Sequence, residues 1–382
     1  MERTKFKNSS VMYVEEDIEI EESDDSVHLM EKPFDPTKIN IETKTPSLDT
    51  LINRIQSKSV AMNTEEYFQR KDDLWDVVKQ SRLIESILIR FPLPAFFFDA
   101  TKDNHWLIVD GLQRLSSIRN FCVNKTLKLT NLEFLSQLEG FGWDDLQEDL
   151  KRLIKETQVV IYKIMPGTPT DVKFNIFKRI NTGGLILEPQ EIRHALFQGT
   201  PAIFISELAK NKAFIKATGG RIKTHRMLDR DFANRFLAFY IFSSEDYQPD
   251  LDTFMSRAMA ILNNLNPDQL DKIKNDFTKA MDLAFAIFKD EAFRKVKGAY
   301  QRKPPINKAL YDAIAAQFAR ISDSDRKVLL KNGTKFKKTL KDKLANDEKF
   351  FSSVTSSTGD KGRVQYRHGE ILKLIQLYTI ES

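Results

Sequence analysis

The stretch Trp106-Leu107-Ile108-Val109-Asp110-Gly111-Leu112-Gln113-Arg114-Leu115 constrains the fold more than any other part of the chain. Its first four residues are an unbroken apolar run that suits a buried strand, and from Leu112 the apolar residues recur at Leu115, Ile118 and Phe121, a helical spacing. Only Asp110 and Gly111 separate the two periods, so a strand must hand over to a helix within two residues. The glycine lets the backbone turn and approach a neighbour closely. A helix opened in this way presents unpaired N–H groups and the positive end of its dipole, which together suit an anion such as phosphate. Arg114, in the first turn, can add a two-pronged contact to phosphate oxygens, and Gln113 offers both a donor and an acceptor. Asp110 is expected either to cap the helix or to hold a Mg²⁺ that escorts a triphosphate. By spacing alone, a plain Asp-Gly cap turn with Arg114 on a solvated face is the commoner explanation.

The flanking pattern places this unit in an α+β region. Leu48, Leu51, Ile52 and Ile55 read as a helix with Ser47 as its N-cap, and a second helix spans about 77–90 before Pro92 and Pro94 stop it. Residues 95–98 and 159–164 read as further strands. A helix over 170–180 ends at Asn181-Thr182-Gly183-Gly184, and another starts at Pro189. Beyond Gly199 only helical periods occur. The expected organisation is therefore an acidic segment and linker over 1–46, a mixed domain over 47–199, and an all-helical domain over 200–382.

Composition narrows the function. No apolar run reaches the ~20 residues of a membrane helix, and no apolar stretch follows the basic residues Arg3, Lys5 and Lys7 as in a secretory signal. With one cysteine, Cys122, these features predict a cytoplasmic protein without disulfides. His28, His105, His194, His225 and His368 are too scattered for a zinc site or a fused His-Asn-His nuclease, so no metal-ligand set is expected. Residues 1–35 carry a net charge of −7 and the remainder +12, which makes the body a candidate polyanion binder and the head a mobile tail. Lys331, Lys335, Lys337, Lys338, Lys341 and Lys343 read first as a solvated helix face.

The segment Ile108-Val109-Asp110-Gly111-Leu112-Gln113-Arg114-Leu115 resembles the Asp-Gly-Gln-Gln-Arg signature of the GmrSD-type restriction endonuclease N-terminal domain family. Three more blocks agree in order: Tyr67-Phe68-Gln69-Arg70 with Trp75, the run from Leu83 to Pro94, and the run from Phe174 to Phe197 that holds Asn181, Thr182, Gly183, Gly184, Glu191 and Arg193. The resemblance implies a ParB/sulfiredoxin-like domain followed by the helical one, and a bacterial restriction or phage-defence system as the setting. It implies a nucleoside triphosphate of unspecified base, with Mg²⁺, as ligand, and Asp110, Gln113 and Arg114 as the residues of hydrolysis. Gly111, Arg70, Asn181, Thr182, Gly183, Gly184, Glu191 and Arg193 are the implied nucleotide- or phosphate-binding set. Gly183-Gly184 also reads as a helix stop, Glu191 and Arg193 as partners of each other, and Arg70 as a partner of Asp73 or Asp110.

The sequence departs from the family in having Leu112 where the first glutamine stands, and no nuclease half is recognisable, so a separate nuclease subunit is the expected partner. The leading reading is a nucleotide-binding, NTP-hydrolysing regulatory module. A ParB-type DNA-binding protein that uses nucleotide only as a switch is the alternative, and a metal-dependent nuclease ranks last.

Overall fold

The computed structural model describes residues 17–19, 36–62, 75–101, 105–180, 188–298 and 303–379, and contacts divide the chain into Phe34–Leu187 and a second unit made of Met1–Pro33 with Glu188–Ser382. In Phe34–Leu187 the elements run β1 (Ile41–Lys44), α1 (Leu48–Gln56), β2 (Val60–Ala61), α2 (Val77–Leu88), β3 (Phe96–Asp99), β4 (Trp106–Asp110), α3 (Leu112–Ile118), α4 (Glu148–Glu156), β5 (Ile161–Ile164) and α5 (Thr170–Ile180). The strands form one sheet in the order β1-β5-β3-β4-β2, with β3 parallel to β5 and antiparallel to β4. Phe96, Phe98, Trp106, Ile108 and Ile161 share a core with Leu48 and Leu51 of α1, Ile84 and Ile87 of α2, Leu115 and Ile118 of α3, and Ile154 of α4. Helices thus seal an apolar sheet surface, and the chain is α+β with a helical C-terminal region.

Two elements lie where the sequence predicts none. Ile41–Lys44 falls inside the expected linker, yet it pairs antiparallel with β5 and forms the edge of the sheet. Val60–Ala61 adds two residues parallel to β4 at the other edge. The helix before Pro92 and Pro94 ends at Leu88, two residues short of the expected limit. Ser47 does precede α1, but its hydroxyl makes no capping bond.

A buried carboxylate on α2 organises the long connection after α3. Glu85 accepts hydrogen bonds from the backbone N–H groups of Glu133, Phe134 and Leu135 at 3.0, 2.7 and 2.8 Å, and Ser81 Oγ accepts one from Thr130 N at 3.0 Å. Burial alone would raise the Glu85 pKa, but the three donors and nearby Arg82 outweigh it and hold the carboxyl below its ordinary value. Glu85→Ala strands these donors, and a loss of about 2 to 4 kcal/mol is expected. Because the folded pKa is depressed, the carboxylate's contribution is present above pH 4.5 and fades as pH falls through the folded value. Denaturation at pH 7 and pH 3 checks this: the gap between wild type and Glu85→Ala should narrow at the acidic pH.

The second unit is helical: α6 (Pro189–Leu196), α7 (Thr200–Ala209), α8 (Lys212–Ala217), α9 (Leu228–Ile241), α10 (Leu251–Ile261), α11 (Pro267–Phe288), α12 (Lys308–Arg320), α13 (Asp323–Lys331), α14 (Gly333–Asn346), α15 (Glu348–Ser353) and α16 (Lys361–Thr379). Phe232, Phe236, Phe239 and Phe277 are fully buried in its core, as their helical spacing predicts, and Tyr311 packs with them. By contacts, α6 groups with the later helices from Glu188 onward, while the expected boundary lies after Gly199. The lysine-rich stretch is only partly a solvated face: Lys337 and Lys341 pair with Glu291, and Lys343 with Asp347 and Glu370. The expected mobile head is also anchored at one point, where Ile18 is buried in the helical core beside Ile306. Among the described residues no helix is long and apolar enough to cross a membrane.

Candidate functional site

β4 delivers Asp110 to the end of the sheet, Gly111 turns the chain with φ 98° and ψ 12°, and α3 begins at Leu112. The glycine is required twice over. Its φ is left-handed, and a Cβ there would come within 2.5 Å of Phe96 Cδ1. A register shift in β3 sets the opposite side of the junction: consecutive residues Phe97 and Phe98 face Asp110 and Ile108, which are two apart on β4.

Arg114 lies across this junction with its side chain 11 % exposed. Its Nη2 donates to Asp110 Oδ2 at 2.8 Å and to the Ala95 carbonyl at 3.2 Å, its Nη1 donates to the Pro94 carbonyl, and its guanidinium lies 4.6 Å from the centre of the Phe96 ring. The fork expected to face phosphate here engages Asp110 and these two carbonyls. Carbonyls at the start of β3 need donors, and Arg114 supplies them. The capping role expected of Asp110 is corrected: its carboxylate turns to Arg114, and no side chain among the described residues caps α3. Burial raises the Asp110 pKa against the opposing pull of Arg114 and the Gly111 N–H, and burial lowers that of Arg114 against the pull of Asp110. Asp110 keeps 23 % of its side chain open to solvent, enough to meet a ligand atom.

Gln113 faces another way. Its Oε1 accepts from Trp75 N at 3.1 Å, which fixes the approach to α2, where Asp76 caps the helix through Lys79 N. Leu112 packs against the apolar core of the unit. The structure therefore brings Asp110, Gly111 and Arg114 into one contact group and ties Gln113 to the neighbouring helix start. Phe96 and the carbonyls of Pro94 and Ala95 complete the group, and sequence spacing offered no signal for them.

The remaining predicted residues have other surroundings. Arg70, Asn181, Thr182, Gly183 and Gly184 lie outside the described residues. Glu191 and Arg193 belong to the helical unit and do not pair with each other in the contacts seen. Glu191 Oε2 accepts from its own helix start at Glu188 N, 2.7 Å, and from Arg226 at 3.3 Å. Arg193, 1 % exposed, donates to Gln190 at 2.8 Å, Asp252 at 2.9 Å and Asp231 at 3.0 Å. Burial alone would raise the Asp231 pKa, but Lys308, Arg235 and Arg193 bring it down to about 2. Arg226 and Met227 both take left-handed backbone, φ 53° and 57°, just before α9, and this strained turn carries the Arg226 guanidinium to Glu188 and Glu191.

Among the described residues no cluster of His, Cys, Asp or Glu is arranged to hold a metal ion. Asp110, a single carboxylate tied to an arginine, is a poor resident metal site.

Neither a curated protein nor a solved structure matches the chain significantly. Residues 48–198 match the family model described as GmrSD restriction endonuclease, N-terminal domain. The match takes in the whole β4–Gly111–α3 junction, so this part of the chain is similar to the N-terminal domain of GmrSD restriction endonucleases.

Proposed function

We propose that the chain is a nucleotide-binding regulatory component of a restriction or anti-phage system, that a nucleoside triphosphate with its Mg²⁺ meets the β4–Gly111–α3 junction, and that a separate subunit supplies nuclease activity. A ParB-like fold for Phe34–Leu187 is part of this reading. The observation that carries it is a partly exposed carboxylate, Asp110, beside a helix start that no side chain among the described residues caps, within the matched family domain. N–H groups at a helix start suit phosphate oxygens, and in this reading Asp110 orients the cation or a water.

In this arrangement Arg114 is a positioning residue, because it holds the carboxylate and does not itself extend to the ligand. Leu112 favours binding without turnover: it replaces the family's glutamine with an apolar side chain that packs inward. Nucleotide then acts as a switch, with DNA as a second candidate ligand.

Calorimetry of the full chain with ATP, GTP and CTP, with and without Mg²⁺, tests the reading, together with phosphate release. At least one nucleotide is expected to bind with Mg²⁺, and Asp110→Asn is expected to weaken the Mg²⁺-dependent part of binding about tenfold, the loss of one charge-assisted contact. Binding without phosphate release assigns the switch. A folded chain that binds no nucleotide at millimolar concentration defeats the proposal.

A further inference from the structure

Within the helical unit, residues 17–19 lie against the segment that leads into α12 as an added strand. Asp17 O accepts from Ile306 N at 2.9 Å and Glu19 N donates to Ile306 O at 2.8 Å, a parallel bridge, while Arg294 pairs with the same Ile306 in antiparallel fashion. Ile18 enters the core at 7 % exposure. The acidic residues on either side find specific partners: Glu19 bonds Lys295 and also accepts from Asn307 Nδ2 at 3.0 Å, and Asp17 pairs with Arg221 at 3.3 Å. Asn307 and Lys295 are themselves fixed, the first by the Val354 carbonyl at 2.7 Å and the second by Thr355 Oγ1 at 3.2 Å. Main-chain bonds with one apolar pocket and flanking charges are the elements of recognition by strand addition.

We propose that this edge at Ile306 is a docking slot for an extended acidic–aliphatic–acidic polypeptide segment, filled in cis by Asp17, Ile18 and Glu19. The anchor is three residues long and makes two backbone bonds. Such a short contact is weak between separate molecules, but a tether raises the effective concentration to the millimolar range and keeps the slot filled. A partner protein presenting the same pattern has only to compete with that tethered segment. The sequence around the anchor repeats the chemistry, with eight Asp or Glu among residues 15–25 and Ile20 after Ile18. The slot is independent of the nucleotide reading.

The test uses the full chain, a variant with the slot vacated by Ile18→Asp and Glu19→Lys, and a fluorescent peptide of residues 13–23. The peptide is expected to bind the vacated variant about tenfold more tightly than wild type, because the tethered competitor is gone. Adding Lys295→Glu to the vacated variant should abolish that binding, and a peptide with residues 17–19 scrambled should not bind. Equal affinity for wild type and vacated chain overturns the proposal. So does cooperative loss of the helical fold on vacating the slot, which would make the segment part of the core. Displacement of the peptide by single-stranded DNA at equal charge, with no dependence on Ile18 in the peptide, would assign the surface to nucleic acid instead.

Discussion

Arg114→Ala is expected to destabilise Phe34–Leu187 by about 3 to 5 kcal/mol, the cost of breaking a largely buried ion pair by removing one partner. The substitution leaves the carbonyls of Pro94 and Ala95 without their donor and Asp110 without its counter-charge. Arg114→Lys should recover little, since an ammonium cannot span two carbonyls and a carboxylate in one plane. All three tryptophans, Trp75, Trp106 and Trp143, lie in this unit, so their fluorescence in a denaturant titration follows its unfolding. Wild-type stability combined with lost nucleotide binding would falsify the positioning role and return the guanidinium to the ligand.

Asp312→Ala should have a comparable effect on the helical unit, again about 3 to 5 kcal/mol. Asp312 on α12 is fully buried and lies 3.1 Å from Arg367 Nη2, 3.5 Å from Arg235 Nη1 and 3.3 Å from His368 Nε2. Burial alone would raise its pKa, but Arg367, His368 and Arg235 outweigh it and hold the carboxyl low. Without it, Arg367 loses its carboxylate and Arg235 keeps only its longer contact with Asp231 at 3.6 Å. Burial also lowers the His368 pKa, and it pushes that of His194 down to about 4. A buried histidine with a depressed pKa takes its proton later than the unfolded chain does, so stability falls as pH drops below 6.5, and for His194 the fall continues to about 4. The Asp312 contribution follows in the same direction below 3.8. Thermal melting followed by helical circular dichroism, from pH 7 to pH 4, should show wild type losing stability steadily. Asp312→Ala should lie well below it at neutral pH.

Much of the junction was legible in the sequence because the apolar period changes from strand to helix within two residues, and few structures satisfy that. The same contrast defined α2, α5 and α6. The edge strands were not legible for a physical reason. Ile41–Lys44 carries two charges in four residues and its edge position leaves most of it exposed, so it shows no apolar signature, and Val60–Ala61 is too short to have a period. The role of Arg114 was hidden because a guanidinium fits phosphate and carbonyl oxygens alike, and its carbonyl partners lie 19 and 20 residues away. The contacts that group α6 with the later helices were hidden in the same way: Arg193 finds Asp231 and Asp252, 38 and 59 residues later. In the acidic head, like charge masked the one isoleucine that anchors it.

Directly behind the junction, α3 widens into the π-helical turn Arg119–Val123, which buries Phe121 and Cys122 together. Cys122 is the chain's single cysteine, and burial pushes its thiol up to about 12, so in the folded state it is shielded and protonated. A thiol reagent can therefore react only when this region opens. The modification rate then becomes a clock with one hand, timing the opening of the helix that carries Arg114 while the rest of the chain stays silent.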